Sequence, residues 1–178
     1  MAQIKIVDGV QLWFNEEREM LELASAYDPG PHQIHFRQGY LDGACGPYSL
    51  LMALAAVGYE VEDERHTYRA LRRIARTDTL LSRGTGAGSL RKLLKDWAPG
   101  YKLKADRGKS KAQLSAAIDA IARNRAVLIG LTWVGPTRPE PGHWAVGIGY
   151  EQPWTTEHDQ KHGEQVDRLF LLDSSAEA

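Results

Sequence analysis

Cys45 is the only cysteine in the 178-residue chain. It is followed at once by Gly46 and Pro47 and then by an apolar run of Leu50, Leu51, Met52, Leu54 and Val57. That run predicts a helix over 46–57, buried nearly all round and central to a core. Pro47 fits its first turn, where a missing N–H costs nothing, and Gly58 fits its C-terminal cap. Cysteine attacks a carbonyl carbon only as thiolate. A helix N-terminus favours the thiolate through its dipole and its free N–H groups. Gly43 and Gly46 flank the residue, so a tight turn can present the sulfur at the surface of the helix. A lone cysteine is more often a buried structural residue, so a nucleophile needs partners.

The first partner is a base. Six histidines are available: His32, His35, His66, His143, His158 and His162. His66 falls on a charged helix, and His158 and His162 in a hydrophilic loop. His32 and His35 lie in an extended stretch before the cysteine. His143 follows a loop rich in Pro and Gly and opens an apolar strand, HWAVGIGY. A strand end of that kind can hold an imidazole at the edge of a cleft, although a surface histidine fits the position equally well. The second partner is a carboxylate. Strands over 144–150 and 168–172 are joined by one loop and predict an antiparallel hairpin. Opposing Trp144 to Leu172 sets His143 beside Asp173, where a carboxylate can fix the tautomer and stabilise an imidazolium. Asp173-Ser174-Ser175 is also turn chemistry. Gln38 lies seven residues before Cys45. Its amide and the Cys45 N–H would form a two-donor oxyanion hole.

The remaining elements follow from periodicity. Residues 1–30 read as an N-terminal extension packed on a domain spanning 31–178. Within it, Ile4 and Ile6 alternate like a short strand. The segment 16–27 reads as a helix with Met20, Leu21, Leu23 and Ala24 inward. A surface helix is expected over 64–76. The glycine-rich loop at 84–88 leads into a helix with Leu90, Leu93, Leu94 and Trp97 at i, i+3, i+4 and i+7. Tyr101, Leu103 and Ala105 suggest a half-buried strand. Ser110 and Gln113 suggest a capping box, opening a helix that turns Leu114, Ala117, Ile118 and Ile121 inward. The run 126–133 suits a strand covered on both faces. Helices first and antiparallel strands after argue for an α+β fold.

Composition bounds the function. Net charge is −1 and the isoelectric point about 6.6, without the basic excess that nucleic-acid binding usually shows. One cysteine excludes an internal disulfide and a cysteine-based zinc site. The N-terminus has no apolar stretch of signal-peptide length, and no run suits a membrane span. The expected location is the cytoplasm of the producing cell, with a signal-independent route into a target cell left open. No membrane partner is expected.

Taken together, the segments Gln38 to Leu51, Gly142 to Tyr150 and Leu171 to Asp173 resemble the papain-like cysteine peptidases, and within them the C39-like branch. The shared pattern is Gln…Cys-Gly-Pro-x-x-Leu, a His-Trp near a strand start, and a strand ending in Asp. The resemblance covers about residues 33–175. It implies a papain-like fold, with the cysteine on a central helix in an N-terminal helical half and an antiparallel sheet carrying His and Asp. It further implies Cys45 as nucleophile, His143 as base, Asp173 as third member and Gln38 in the oxyanion hole. The chain ends five residues after Asp173, where that fold often continues, so a C-terminal truncation is among the expectations.

The function expected is cysteine-dependent acyl transfer on a peptide or protein amide, without a cofactor. A peptidase or amidase is the first reading, and a toxin or effector delivered into another cell would suit it. Glutamine deamidation or transamidation could use the same site. A non-catalytic domain of the same fold and a redox-sensing thiol are the rivals from other classes.

Overall fold

In the computed structural model, the described residues are 2–16, 20–27, 34–36, 44–59, 84–105, 110–132, 142–153 and 168–174. They form two antiparallel sheets and three helices, an α+β arrangement. The strands are β1 (Ala2–Ile6), β2 (Val10–Asn15), β3 (Met20–Ser25), β4 (Val127–Leu131), β5 (His143–Pro153) and β6 (Arg168–Leu172). The helices are α1 (Cys45–Ala56), α2 (Ala87–Trp97) and α3 (Ser110–Ala122). Three strands thus precede the helices, where the sequence led us to expect helices first.

α1 is the centre of the core. Every residue of it except Tyr48 is buried. One side, with Met52, Ala53 and Ala56, packs with Val146, Ile148, Tyr150 and Leu172 of the sheet. The other side, with Leu50 and Leu54, packs with Leu90, Leu93 and Leu94 of α2. Its end is set by Gly58. That residue adopts φ +83°, which glycine tolerates without a side-chain clash. The Gly58 N–H donates to Ala55 O and the Tyr59 N–H to Leu54 O, so two orphan carbonyls are satisfied in the Schellman manner.

β5 is the strand on which the main sheet is built. β6 runs along one edge of it. β4 and β1 share the opposite edge end to end, β4 against 143–147 and β1 against 149–153. The first residues of the chain are therefore part of the sheet. Between the two lies a bulge on β5, where Gly147 opposes Leu171 but Gly149 opposes Phe170. The extra residue is Ile148. Its carbonyl accepts the Val7 N–H at 2.8 Å, so the seam between β1 and β4 is closed by a hydrogen bond.

Several expectations are corrected. The segment read as a helix over 16–27 contains β3, which pairs with β2 in register from Val10↔Ser25 to Asn15↔Met20. Pairing overrides the local helical pattern, because the ladder satisfies the backbone of both strands at once. Residues 101–105 join no sheet among the described residues; Leu103 instead packs on the α2 cluster. β4 is shorter than 126–133 and only half-buried, with Gly130 exposed. Leu114 of α3 points outward and is 45% exposed, although Ala117 and Ile121 are buried as expected. The helix expected over 64–76 lies outside the described residues. Among the described residues, no helix is long and apolar enough to cross a membrane.

A Cβ on Gly149 would sit 2.7 Å from the Lys5 carbonyl oxygen and 3.0 Å from the Phe170 ring. Backbone cannot yield as a flexible side chain can. Gly149→Ala should therefore destabilise the fold by about 1–3 kcal/mol. Chemical denaturation would measure the loss, and hydrogen exchange should show it first in the amides of β1 and β5.

Candidate active site

Three contacts bring the start of α1 to the start of β5. The Ser49 hydroxyl donates to the Trp144 carbonyl at 2.8 Å. The Trp144 indole N–H donates to the Thr85 carbonyl at 2.6 Å. Thr85 in turn lies against Gly46, where an added Cβ would stand 2.7 Å from the threonine Cβ. Only glycine lets this loop approach the first turn so closely. Cys45 adjoins Gly46 and lies one helical turn before Ser49. His143 adjoins Trp144. Each expected reacting residue is thus one residue away from the same clamp.

Cys45 is the first residue of α1, and Ala44 before it makes no side-chain capping bond. The N–H groups of the first turn are therefore not taken by an N-cap side chain. The thiol is free of any disulfide but buried, with 4% of the residue exposed. An exposed sulfur was expected. The residue shares the burial of α1, in which every residue except Tyr48 is buried.

The ring Nε2 of His143 is 2.7 Å from Asp173 Oδ1. A carboxylate only accepts, so Nε2 carries a proton, and in the neutral ring the lone pair is then on Nδ1. The side chains are 15% and 28% exposed, so the bond is partly shielded from water. The juxtaposition is the expected one, but the register that produces it is not. Trp144 does not face Leu172; Val146 does. Continuing that register sets Asp173 opposite Ala145. His143 is two residues farther along β5 and so projects from the same face. Diagonal neighbours of this kind are within reach of long side chains.

The bulge makes this possible. Below it, Glu151 opposes Arg168 and Tyr150 opposes Leu169. Extended without interruption, that register would set Asp173 opposite Val146, on the face away from His143. The one extra residue at Ile148 changes the parity and returns the carboxylate to the histidine's face. Bulges commonly re-aim side chains in this way.

A second imidazole meets Asp173. His35 Nε2 is 2.7 Å from the Asp173 carbonyl oxygen, and a carbonyl also only accepts. The sequence reading gave His35 no role. Its signal is the alternation Ile34-His35-Phe36, in which Ile34 is 1% exposed and both neighbours pack in the core. A polar residue held between two core anchors has little freedom of direction. Gln38, expected in the oxyanion hole, lies outside the described residues, as do His32, His66, His158 and His162. Among the described residues, no cluster of His, Cys, Asp or Glu could hold a metal ion.

Comparison with protein-family models, with curated proteins and with solved structures finds no match for this chain. The case for chemistry rests on the geometry.

Thr85 offers a test of the clamp. Its hydroxyl is buried and has no hydrogen-bond partner among the described residues. An orphaned buried polar group costs about 1–3 kcal/mol. Thr85→Val removes it at nearly constant shape and should leave stability unchanged or raise it by about 1 kcal/mol. Ser49→Ala strips the Trp144 carbonyl of its donor and should lower stability by about 1–3 kcal/mol. Thermal denaturation of the two variants checks both signs.

Proposed function

We propose that this protein is a cysteine-dependent acyl-transfer enzyme of the papain-like kind, acting on a peptide or protein amide. The observation that carries the reading is the 2.7 Å bond from His143 Nε2 to Asp173 Oδ1, tied through Trp144 to a helix that begins with the only cysteine. A structural cysteine needs no oriented imidazole and no clamp.

In this reading the Cys45 thiol gives its proton to His143 Nδ1, and the sulfur attacks the amide carbon. The imidazolium that forms is stabilised by the Asp173 carboxylate. It then protonates the leaving amine. Water, activated by the same nitrogen, attacks the thioester carbon and releases the acid with the thiol restored. Gln38 is proposed to donate to the oxyanion, with the Cys45 N–H as second donor. Peptide hydrolysis and glutamine deamidation share these steps and differ in the acyl and amine groups bound; in transamidation a second amine replaces water in attacking the thioester, so a new amide is released and the thiol restored. A toxin or effector role is compatible with any of them.

Iodoacetamide tests the pair without knowledge of the substrate. Cys45 of the wild-type protein should be alkylated at pH 6 much faster than in His143→Ala, by at least about tenfold, because an imidazolium partner adds to the helix N-terminus in holding the thiolate in mild acid. An equal rate in the two proteins would end the enzyme reading and favour a redox-sensing or inert thiol.

A pooled peptide library read by mass spectrometry gives turnover. Cys45→Ala should abolish it, since loss of one member of a catalytic unit forfeits most of its rate enhancement. Gln38→Ala should lower turnover roughly a hundred- to thousandfold yet spare alkylation, which passes through no oxyanion. Wild-type turnover in Gln38→Ala would transfer that role to another donor.

A further inference from the structure

Asp173 is held at two points by two different histidines. His143 Nε2 meets its carboxylate at 2.7 Å, and His35 Nε2 meets its main-chain carbonyl at 2.7 Å. The residue stands just beyond the end of β6, so the sheet ladder no longer fixes its backbone. The direction of its Cα–Cβ bond decides whether the carboxylate reaches the imidazole, and a bond to its carbonyl acts on that direction. Leu172, 3% exposed, fixes the residue before it, and Ser174, 2% exposed, the residue after it.

His35 bonds that carbonyl directly, and its own backbone is anchored. The Ile34 N–H donates to the Leu23 carbonyl at 3.2 Å, which ties the segment to β3. Ile34 is 1% exposed, and Phe36 packs on the same core. The imidazole between them spans 138 residues of sequence to reach its acceptor. A surface histidine has no need of such an anchor.

We propose that His35 is a positioning residue for the His143–Asp173 pair. It acts on Asp173 by donating to the carbonyl and so fixing the peptide plane from which the carboxylate projects. The inference rests on the acyl-transfer reading, in which that pair holds the base. Nε2 carries a proton in the charged imidazole and in one of the two neutral tautomers, so the bond selects that tautomer when His35 is neutral. The two histidines have different tasks. His143 must exchange protons through Nδ1, whereas His35 must keep one on Nε2.

The readout is the ratio of Cys45 alkylation rates at pH 6 and pH 8.5 with iodoacetamide, measured in the full chain. His143→Ala is the reference for complete loss of the pair, and Asp173→Asn for loss of the carboxylate charge. His35→Ala should lower the ratio in the same direction as Asp173→Asn, by roughly two- to tenfold, the range spanned by one net hydrogen bond. His35→Gln places an amide N–H near the position of Nε2 and should restore the wild-type ratio. A purely structural histidine would lower the melting temperature in both variants and leave the ratio alone. If His143→Ala leaves the ratio unchanged, the enzyme reading fails, whatever His35 does. If His143→Ala lowers it and a folded His35→Ala does not, the positioning role alone is overturned. Nitrogen NMR of wild-type protein labelled at histidine is the second measurement, and it requires no variant to fold. A neutral His35 with its proton on Nε2 supports the proposal, and one with its proton on Nδ1 overturns it.

Discussion

Trp144 is the residue through which the two halves of the candidate site are held together. Its carbonyl takes the Ser49 hydroxyl from α1, and its indole N–H reaches the Thr85 carbonyl at the head of α2. The residue also packs against the apolar cluster shared by α1 and α2. One residue thereby spans helix, loop and sheet, through its main chain to Ser49 and its side chain to Thr85, and both polar bonds adjoin an apolar cluster. A hydrogen bond there is electrostatically stronger than in water, and its loss leaves an unpaired group. That is why the start of α1 and the start of β5 have so little freedom to drift apart. Cys45 and His143 inherit their positions from it.

The sheet contributes in a different way. A strand alternates its side chains strictly, so the His143–Asp173 contact depends on parity as well as distance. The sequence permits the correct contact for an incorrect reason. Opposing Trp144 to Leu172 is two residues away from the actual register, Val146 to Leu172. A slip of two preserves the face, and the side chains still meet on a diagonal. A slip of one would have put Asp173 opposite the core residue Val146. The bulge at Ile148 is the device that sets this parity, and the two glycines flanking it were read only as allowing close packing.

Legibility varied along the chain with how local the determining interaction is. α1 and α2 could be read because their apolar patterns, the glycine at 58 and the glycine loop before α2 are all local signals. β3 could not, because Met20 to Ser25 has a helical spacing and becomes a strand only by pairing with β2. Tyr101 to Ala105 failed for the opposite reason: alternation is present, but no neighbouring strand among the described residues receives it. His35 failed because its partner lies 138 residues away, and no spacing rule connects two such positions. The exposure expected of Cys45 failed because burial of a helix start depends on what packs over it in the fold, which local spacing does not record.

Burial of Cys45 deserves to be weighed against the polar groups around it. A cysteine with 4% exposure is, by itself, what an inert core thiol looks like. A histidine–carboxylate pair is, by itself, replaceable by apolar contacts with little loss of stability, because desolvating the charges offsets their attraction. The combination is harder to explain as packing. The pair requires a bulge to set its parity, a second histidine bonds the carboxylate-bearing residue, and a clamp holds the strand to the helix that carries the thiol. The direction of the bond matters as well. With Nε2 given to Asp173, the basic nitrogen is Nδ1, the one nearer the main chain. In the proposed acyl transfer, a base so arranged would serve a reaction close to the strand backbone, at the end of β5 that Trp144 fastens to the helix beginning at Cys45.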